Sequence, residues 1–446
     1  MITFKRKIYD KLLEWKNNSK GSSALLIEGA RRVGKTTIVK EFAKKEYSSS
    51  IIIDFMKPKK GTIELFETYS YDIGLLTSNI SLLYQVELKK RDSLIVFDEV
   101  QKYPKARELI KYLVEDGRYD YIETGSLISI KENVKNIQIP SEEDYIHMGP
   151  MDFEEWLWAN DDTMTMDYIR DRFDKMEPLG QVMNRVVMDK FRLYMITGGM
   201  PGAVSAYIGD HNLMQSEKVK RQILDLYRND IHKKEKKPEM TLKVFNAIPE
   251  FLSMKKKVFR PGVVNQDSKT DDYSDALEWL SESKIVNICT CNTDPNSAMN
   301  LNNNSDRLKA YLLDTGLLIT LAFDVGVLDE NVFIDLAKSR LNVNEGMIFE
   351  NMAAQTLVSS GHKLYFSEFY ADKSDKNLYE VDFLLVKKNK LTVIEAKSSY
   401  SSSHASLDKF INKYGKRIEK VYVVHSKDLR IDGNITYIPL YMASLL

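Results

Sequence analysis

The chain has 446 residues, of which 43% are apolar and 10% aromatic, and this content excludes a largely disordered chain. Basic and acidic residues both number 64, so a net charge of zero identifies neither nucleic acid nor a membrane as a partner. Cys289 and Cys291 are too few for a disulfide framework or a zinc site. Without a secretory leader or an apolar run of about 18 residues, we expect a cytoplasmic protein with no membrane partner.

The first third of the chain alternates short apolar runs with helical patterns. The runs predicted as strands are ALLIE (24–28), SIIIDF (50–55), SLIVFDE (93–99) and YDYIET (119–124). Alternating strands and helices are typical of a parallel sheet built from βαβ units. We therefore predict an α/β fold whose first domain covers residues 1–150.

The stretch GARRVGKT (29–36) fits the pattern G-x-x-x-x-G-K-[ST] in full. Its glycines permit a turn that points backbone N–H groups at phosphates, and the following helix directs its positive end to the same anion. Lys35 is predicted to reach the β- and γ-phosphates, and Thr36 to bind Mg²⁺. We therefore expect ATP and Mg²⁺ as ligands. The predicted nucleotide-binding residues are Gly29, Ala30, Arg31, Arg32, Val33, Gly34, Lys35, Thr36 and Thr37.

The partner of this loop is SLIVFDEV, a buried strand that ends in two acidic residues. Asp98 is predicted to support Mg²⁺ through water, and Glu99 to polarise the attacking water as general base. Such a pair alone equally fits a solvated turn, but its position downstream of a complete phosphate loop favours the catalytic interpretation. The roles of Arg31 and Arg32 stay open between phosphate contact, solvent and a neighbouring subunit.

The strand YDYIET runs into Thr124, Gly125 and Ser126. A hydroxyl here would lie between the two motifs and sense the γ-phosphate or orient water. Because Thr, Gly and Ser also favour turns, an ordinary exit from the strand fits equally well.

The middle of the chain changes character. Residues 151–239 are mostly helical in pattern, with GGMPGAV (198–204) as a sharp break. Helices followed by a short hairpin over residues 240–325 indicate a winged-helix-like module. The lysines of SMKKKVFRPG (253–262) are interpreted as a solvated face, with phosphate contact as the alternative.

The last part, residues 326–446, is predicted to form a second α/β domain. Asp382 lies in the strand candidate YEVDFLLV, and Glu395 and Lys397 share one face of LTVIEAK. A hairpin would bring the three together, and Glu350 on the preceding helix would close the group. Glu350, Asp382 and Glu395 would hold Mg²⁺, and Lys397 would assist a water that attacks a phosphodiester. An ordinary cross-strand Glu–Lys pair is the alternative.

Together these pieces resemble a family of predicted AAA+-type P-loop ATPases from bacteria and archaea with a C-terminal domain of unknown function. The pieces are EGARRVGKTT (28–37), IVFDEVQK (95–102), TGSLIS (124–129), GPMDFEEWL (149–157), YMITGGMPGAV (194–204), YLLDTGLL (311–318), GMIFEN (346–351), EVDFLL and IEAKSS. The resemblance implies Ser126 in the sensor position, a winged-helix-like middle and a C-terminal domain similar to restriction endonucleases. It identifies no arginine finger.

The leading hypothesis is a Mg²⁺-dependent ATPase, with Lys35, Glu99 and Ser126 as its catalytic residues, whose nucleotide state controls a nuclease-like domain that acts on DNA. The alternative is a nucleotide-switched DNA- or protein-binding regulator with an inactive nuclease-like domain. A partner protein, a second copy of the chain and the type of nucleic acid all stay open.

Overall fold

A computed structural model describes residues 3–125, 141–254, 257–259, 270–323, 345–372, 374–398 and 404–446. The chain divides into two compact units. The first comprises Met1–Gly149 and Glu282–Lys284, and the second Pro150–Ser281 and Ile285–Leu446. Within these described ranges, no helix is long and apolar enough to cross a membrane.

The sheet of the first unit is parallel throughout and has the order β2-β3-β4-β1-β5. Its strands are β1 Ala24–Glu28, β2 Ser49–Asp54, β3 Ser93–Asp98, β4 Asp120–Gly125 and β5 Glu143–His147. The predicted α/β fold with a parallel sheet is confirmed. The sequence did not predict β5, because EDYIH is largely polar. Since β4 lies between β1 and β3 and all three run parallel, their carboxyl ends meet at one edge of the sheet.

Helices cover both faces of this sheet. They are α1 Ile8–Ser19, α2 Lys35–Glu46, α3 Thr62–Tyr69, α4 Ile73–Tyr84, α5 Pro104–Glu108 and α6 Ile110–Asp116. Every residue of β3 is buried, and Phe97 on this strand packs edge-to-face with Phe66 of α3 at a ring separation of 5.7 Å. Local signals fix where the helices begin: Asp72 accepts the N–H of Leu75 and caps α4. The core thus holds β3 rigidly beneath the edge where it ends.

The described helices of the second unit precede its first strand or lie between its later strands. They are α7 Phe153–Ala159, α8 Thr165–Asp174, α9 Gln181–Thr197, α10 Pro201–Asp210, α11 Leu213–Lys234, α12 Pro238–Ser253, α13 Thr270–Glu282, α14 Thr315–Ala322, α15 Glu345–Ser359 and α16 Ala405–Tyr414. A capping box between Asp152 and Glu155 starts α7. The predicted break at GGMPGAV separates α9 from α10, and Pro201 occupies the first turn of α10.

An eight-stranded sheet of the second unit has the order β12-β13-β11-β10-β9-β8-β6-β7. Its strands are β6 Val286–Asn292, β7 Asn303–Leu312, β8 Leu364–Tyr370, β9 Leu378–Lys387, β10 Lys390–Ala396, β11 Ile418–His425, β12 Arg430–Asp432 and β13 Ile435–Pro439. The β6–β7 hairpin follows helices, as predicted, but β6 pairs in parallel with β8. The predicted boundary between 240–325 and 326–446 therefore divides strands that share a sheet, a pairing that local sequence patterns do not reveal.

One buried contact joins two of the recognised sequence pieces. Asp314 is fully buried and accepts the N–H groups of Gly199, at 2.6 Å, and Leu317, at 2.9 Å. A Cβ at Gly316 would lie 2.6 Å from the backbone nitrogen of Gly198. Gly316 is therefore required by the close approach of the two backbones, whereas a Cβ at Gly199 would lie 2.0 Å from the carbonyl oxygen of Met151.

Candidate functional site

The phosphate loop has the predicted strand–loop–helix arrangement, between the end of β1 and the start of α2 at Lys35. Gly34 has φ 102°, in the left-handed region that favours glycine. A Cβ at Gly29 would lie 2.2 Å from the carbonyl oxygen of Met148. Lys35 is buried, and its Nζ donates to the carbonyls of Gly29 and Ala30, both at 2.9 Å. The loop therefore curls around the lysine that the motif requires.

The side chains of the loop point in different directions. Ala30 and Val33 are buried, so only their backbone groups can face a phosphate. Arg31 is half-buried, whereas Arg32 is exposed and has φ 70°. Neither arginine is therefore assigned a catalytic role by its position.

The carboxylate of Asp98 lies beside two hydroxyls. Thr36 Oγ1 donates to Asp98 Oδ1 at 2.8 Å, and Thr124 Oγ1 donates to the same oxygen. Asp98 and Thr124 are both buried. The contact follows from the strand order, since β4 brings Thr124 between the loop after β1 and the end of β3. These oxygens are the kind of ligand that Mg²⁺ prefers, usually completed by water and substrate phosphates.

Glu99 is held in an uncommon backbone conformation just beyond Asp98. Its φ of 56° and ψ of 44° lie in the left-handed region, which is costly for a residue with a side chain. Its N–H donates to Thr124 Oγ1 at 3.3 Å, and its carboxylate accepts from Gln101 Nε2. The surrounding contacts thus fix the direction of the predicted general base.

Sequence reasoning missed two residues of this site and left another unresolved. Thr124 was considered only as one of two hydroxyls, and Ser126, which the resemblance favoured, lies outside the described residues. Gln101 was not singled out, although its place two residues after Glu99 is a usable signal. Arg6, which is buried, donates to Val33 O at 3.0 Å and Gly149 O at 2.8 Å. Nothing in the local sequence around Arg6 indicated that it supports the phosphate loop.

The predicted residues Glu350, Asp382 and Glu395, together with Glu380, which was not predicted, form what we call the carboxylate cluster. Asp382 on β9 accepts the N–H of Ala396 on β10 at 2.9 Å. Lys397 lies 2.6 Å from Glu395 Oε1. The structure therefore brings Asp382, Glu395 and Lys397 together, as the hairpin argument predicted.

A lysine that sequence reasoning did not identify lies at the centre of this cluster. Lys309 on β7 is fully buried. Its Nζ lies 2.6 Å from Glu380 Oε1, 3.3 Å from Glu350 Oε1 and 3.8 Å from Asp382 Oδ1. Burial acts to lower the pKa of Lys309, but the charges of the carboxylates, that of Glu350 foremost, outweigh burial and hold the pKa well above its ordinary value. The carboxylates around Lys309 therefore favour its charged form.

The two ends of the cluster have different electrostatics. Burial acts to raise the pKa of Glu350, but Lys309 and Lys257 lower it to about 2. Lys257 pairs with Glu350 Oε2, and Tyr311 OH donates to Oε1 at 2.6 Å. In contrast, burial and the charge of Asp382 raise the pKa of Glu395 to about 7. The surroundings of Glu350 thus favour its ionised form, whereas those of Glu395 favour its protonated form.

The cluster does not fit the Mg²⁺ ion that the resemblance implies. In the part of the chain that the structure describes, no group of three or more His, Cys, Asp or Glu side chains is arranged to hold a metal ion. The ammonium group of Lys309 lies within 4 Å of oxygens of Glu350, Glu380 and Asp382. These contacts therefore support no metal-dependent step in the cluster.

Family models match three successive parts of the chain. Residues 21–157 match the AAA domain family, residues 188–327 a domain of unknown function (DUF8612), and residues 345–443 a second domain of unknown function (DUF4143). The first match covers the phosphate loop, β3 and β4. Residues 21–157 are therefore similar to AAA domains, and this similarity supports ATP binding.

Solved structures resemble the chain only weakly. The Walker-type ATPase PABY2304 of Pyrococcus abyssi is 13% identical with a TM-score of 0.43, and the match covers 72% of this chain and 96% of that one. Cdc6p from Pyrobaculum aerophilum is 13% identical with a TM-score of 0.26, covering 75% and 94%. Protein VC1899 from Vibrio cholerae is 10% identical with a TM-score of 0.18, covering 94% and 95%. Comparison with curated proteins gives no match.

Proposed function

We propose that the protein hydrolyses ATP at the phosphate loop and that its nucleotide state controls the second unit. The observation that carries the proposal is the meeting of Thr36 and Thr124 on one oxygen of Asp98. This contact links the loop, β3 and β4 at a single point. A nucleotide that enters the loop therefore acts on the strand ends that carry the catalytic groups.

Binding begins with Lys35. Its Nζ donates to two carbonyls of the loop, which are neutral acceptors. The β- and γ-phosphates of ATP are stronger partners, because charge-assisted hydrogen bonds are roughly twice as strong as neutral ones. The ammonium group thus turns from the carbonyls to the phosphates, and the N-terminus of α2 adds its positive end to the same anion.

The residues around Asp98 fit the magnesium that accompanies ATP. Thr36 and Asp98 would hold the ion, since their oxygens lie 2.8 Å apart and hard oxygen ligands suit it. When bound, magnesium supplies positive charge that stabilises the transferred phosphoryl group.

Glu99 acts as general base and accepts a proton from the attacking water on its carboxylate. Gln101 holds that carboxylate, and Thr124 holds the backbone N–H of the same residue. Thr124 thereby ties the position of Glu99 to that of Asp98. The assignment of Ser126 as sensor of the γ-phosphate stays part of the proposal.

Phosphate release and nucleotide binding, measured on matched variants, test the ATPase. Lys35→Ala should abolish both, whereas Glu99→Gln should retain binding of a fluorescent ATP analogue and lower hydrolysis about 100-fold or more, equivalent to about 3 kcal/mol of barrier. Lys40→Ala on the same helix and Glu115→Gln, both at exposed positions, are the controls. Undiminished hydrolysis in both test variants would refute the proposal.

For the second unit we favour a nucleotide-switched DNA- or protein-binding role with a restriction-endonuclease-like domain that does not cleave. The likeness to restriction endonucleases is supported by Asp382 and Glu395 on adjacent strands, with Lys397 two residues after Glu395. Support for an inactive domain comes from Lys309 between the carboxylates. Glu99→Gln retains ATP in this scheme, so the affinity of this variant for a labelled duplex DNA should differ between ATP and ADP; equal affinity would point to a protein partner.

A metal-dependent nuclease is the second candidate, because Asp382, Glu395 and Lys397 converge as the D…E-x-K pattern predicts, even though Lys309 lies among the carboxylates. Incubation of the wild-type protein with DNA or RNA and Mg²⁺, beside Asp382→Ala, separates the two roles. We expect no cleavage above that of the variant. Cleavage by the wild type alone would establish the nuclease.

A further inference from the structure

The carboxylate cluster has a cation of its own that does not belong to the D…E-x-K pattern. Lys309 comes from β7, which precedes that pattern and lies at the edge of the sheet beyond β6. Its Nζ contacts carboxylates from two different elements, α15 and β9. The ring of Phe366 on β8 lies 4.9 Å from the same atom. The ammonium group is thus enclosed by acidic oxygens and an aromatic face.

We propose that the ammonium group of Lys309 takes the place of a divalent cation in the carboxylate cluster. A metal held by Glu350 and Asp382 would have to lie between their oxygens. That space is filled by Lys309 Nζ, at 3.3 Å from one carboxylate and 3.8 Å from the other. Magnesium bonds to oxygen at about 2.0–2.1 Å and needs near-octahedral room, so the ion and the ammonium group exclude each other.

Two further lysines each pair with a carboxylate oxygen that Lys309 does not contact. Lys257 pairs with Glu350 Oε2, and Lys397 with Glu395 Oε1. Each carboxylate that was expected to ligate a metal therefore contacts an ammonium group of the chain itself. Lys309 is the member that cannot swing out to solvent, because it is fully buried. The oxygens around Lys309 Nζ thus have an ammonium partner from the chain itself, whereas Glu395 Oε2 is buried without a hydrogen-bond partner among the described residues.

The inference is independent of ATP hydrolysis, and its test uses no nucleotide. The full chain is titrated with Mn²⁺, and bound ion is followed by electron paramagnetic resonance. We expect Asp382→Asn to bind as much Mn²⁺ as the wild type does. Mn²⁺ that is lost in Asp98→Asn is assigned to the phosphate-loop site. Lys309→Met keeps most of the side-chain length. We expect this variant to bind one additional Mn²⁺ per chain, at least tenfold more tightly than the wild type binds Mn²⁺ in the carboxylate cluster. Lys309→Met/Asp382→Asn should lose this ion.

Two results would overturn the inference. One is Mn²⁺ binding by the wild type that Asp382→Asn abolishes. The other is a folded Lys309→Met protein that gains no Mn²⁺. If removal of Lys309 prevents folding, the comparison of wild type with Asp382→Asn still decides, through both Mn²⁺ binding and the change in melting temperature on replacing EDTA by Mn²⁺. Equal Mn²⁺ binding and equal changes in melting temperature for the wild type and Asp382→Asn support the inference.

Discussion

Two buried lysines in this molecule have opposite surroundings. Lys35 in the first unit donates to the backbone carbonyls of Gly29 and Ala30 at 2.9 Å. Lys309 in the second unit contacts carboxylates, of which Glu380 is the nearest at 2.6 Å. Both side chains carry a positive charge into the protein, but these bonds reach neutral carbonyl oxygens from Lys35 and carboxylate oxygens from Lys309.

The contacts of a buried lysine determine whether its positive charge is available to a ligand. A lysine held by carbonyls gains free energy when a phosphate replaces them, because the new acceptor is charged. A lysine held by carboxylates has no such gain, and removing it leaves uncompensated buried anions. Lys35 is thus suited to binding, whereas Lys309 is suited to holding the cluster together.

The largest expected effect is on stability and concerns Lys309. Lys309→Ala removes the partner of Glu380 and Glu350, so the second unit should lose about 3–5 kcal/mol of unfolding free energy. Lys35→Ala should cost much less, because the carbonyls that it leaves can bind water. Urea unfolding followed by tryptophan fluorescence measures both, since three of the four tryptophans lie in the second unit. Equal losses in the two variants would erase the contrast between the lysines.

The dependence of stability on pH tests a buried group outside these ion pairs, His425. Burial, with Arg430 and Lys427 nearby, lowers the pKa of His425 from 6.5 to about 4. Between these values the unfolded chain binds the proton more readily, so stability falls as the pH drops from 6.5 to about 4, by up to about 3 kcal/mol. His425→Phe should remove this part of the slope of unfolding free energy against pH. Exposed His211, changed to Asn, is the control, and an identical slope for wild type and His425→Phe would contradict the assignment.

The contact between Thr124 and Asp98 predicts a kinetic effect in the first unit. Thr124→Val keeps the shape of the side chain and removes the hydroxyl, which donates to a charged oxygen. Such a hydrogen bond contributes about 1.5–3 kcal/mol. If it positions the catalytic groups, kcat should fall about 10-fold or more while KM for ATP stays nearly constant. A rise in KM alone would mean that Thr124 serves binding, not catalysis.

The smallest expected effect concerns Arg6. Arg6→Gln loses at least one of the bonds to Val33 O and Gly149 O, worth about 1 kcal/mol each. The phosphate loop should then be less ordered, and KM for ATP should rise about fivefold with kcat nearly unchanged. Arg118→Gln, which alters an arginine of the same unit away from the loop, is the control. An unchanged KM would show that the loop keeps its shape without Arg6.

The phosphate loop could be predicted from sequence because a short continuous segment encodes its geometry. Gly29, Gly34 and Lys35 lie within one short loop and the start of the next helix. The strand before this loop and the helix after it carry their own apolar patterns. The parallel sheet followed for the same reason. The convergence of Asp382 with Glu395 was equally accessible, since a tight hairpin joins β9 to β10.

Other features depend on partners that are distant in the chain. Lys309 lies 41 residues from Glu350, in a segment that resembles any polar edge strand. Arg6 meets Val33 and Gly149, and no local pattern marks it as buried. The pairing of β6 with β8 similarly joins segments that were assigned to different domains. In each case the tertiary contact gives the residue its role, so local periodicity could not reveal it.

The meeting of Asp314 with Gly199 has a consequence for how the protein is made. The two residues are 115 positions apart, and Gln355 reaches Tyr194 across 161 positions. The helices around GGMPGAV can form early during synthesis, but their glycine turn lacks its buried acceptor until residue 314 has left the ribosome. Closing such long loops is slow and exposes apolar surface in the meantime. We therefore expect the first unit to fold while the chain is still being translated, and the second unit to depend more strongly on chaperones.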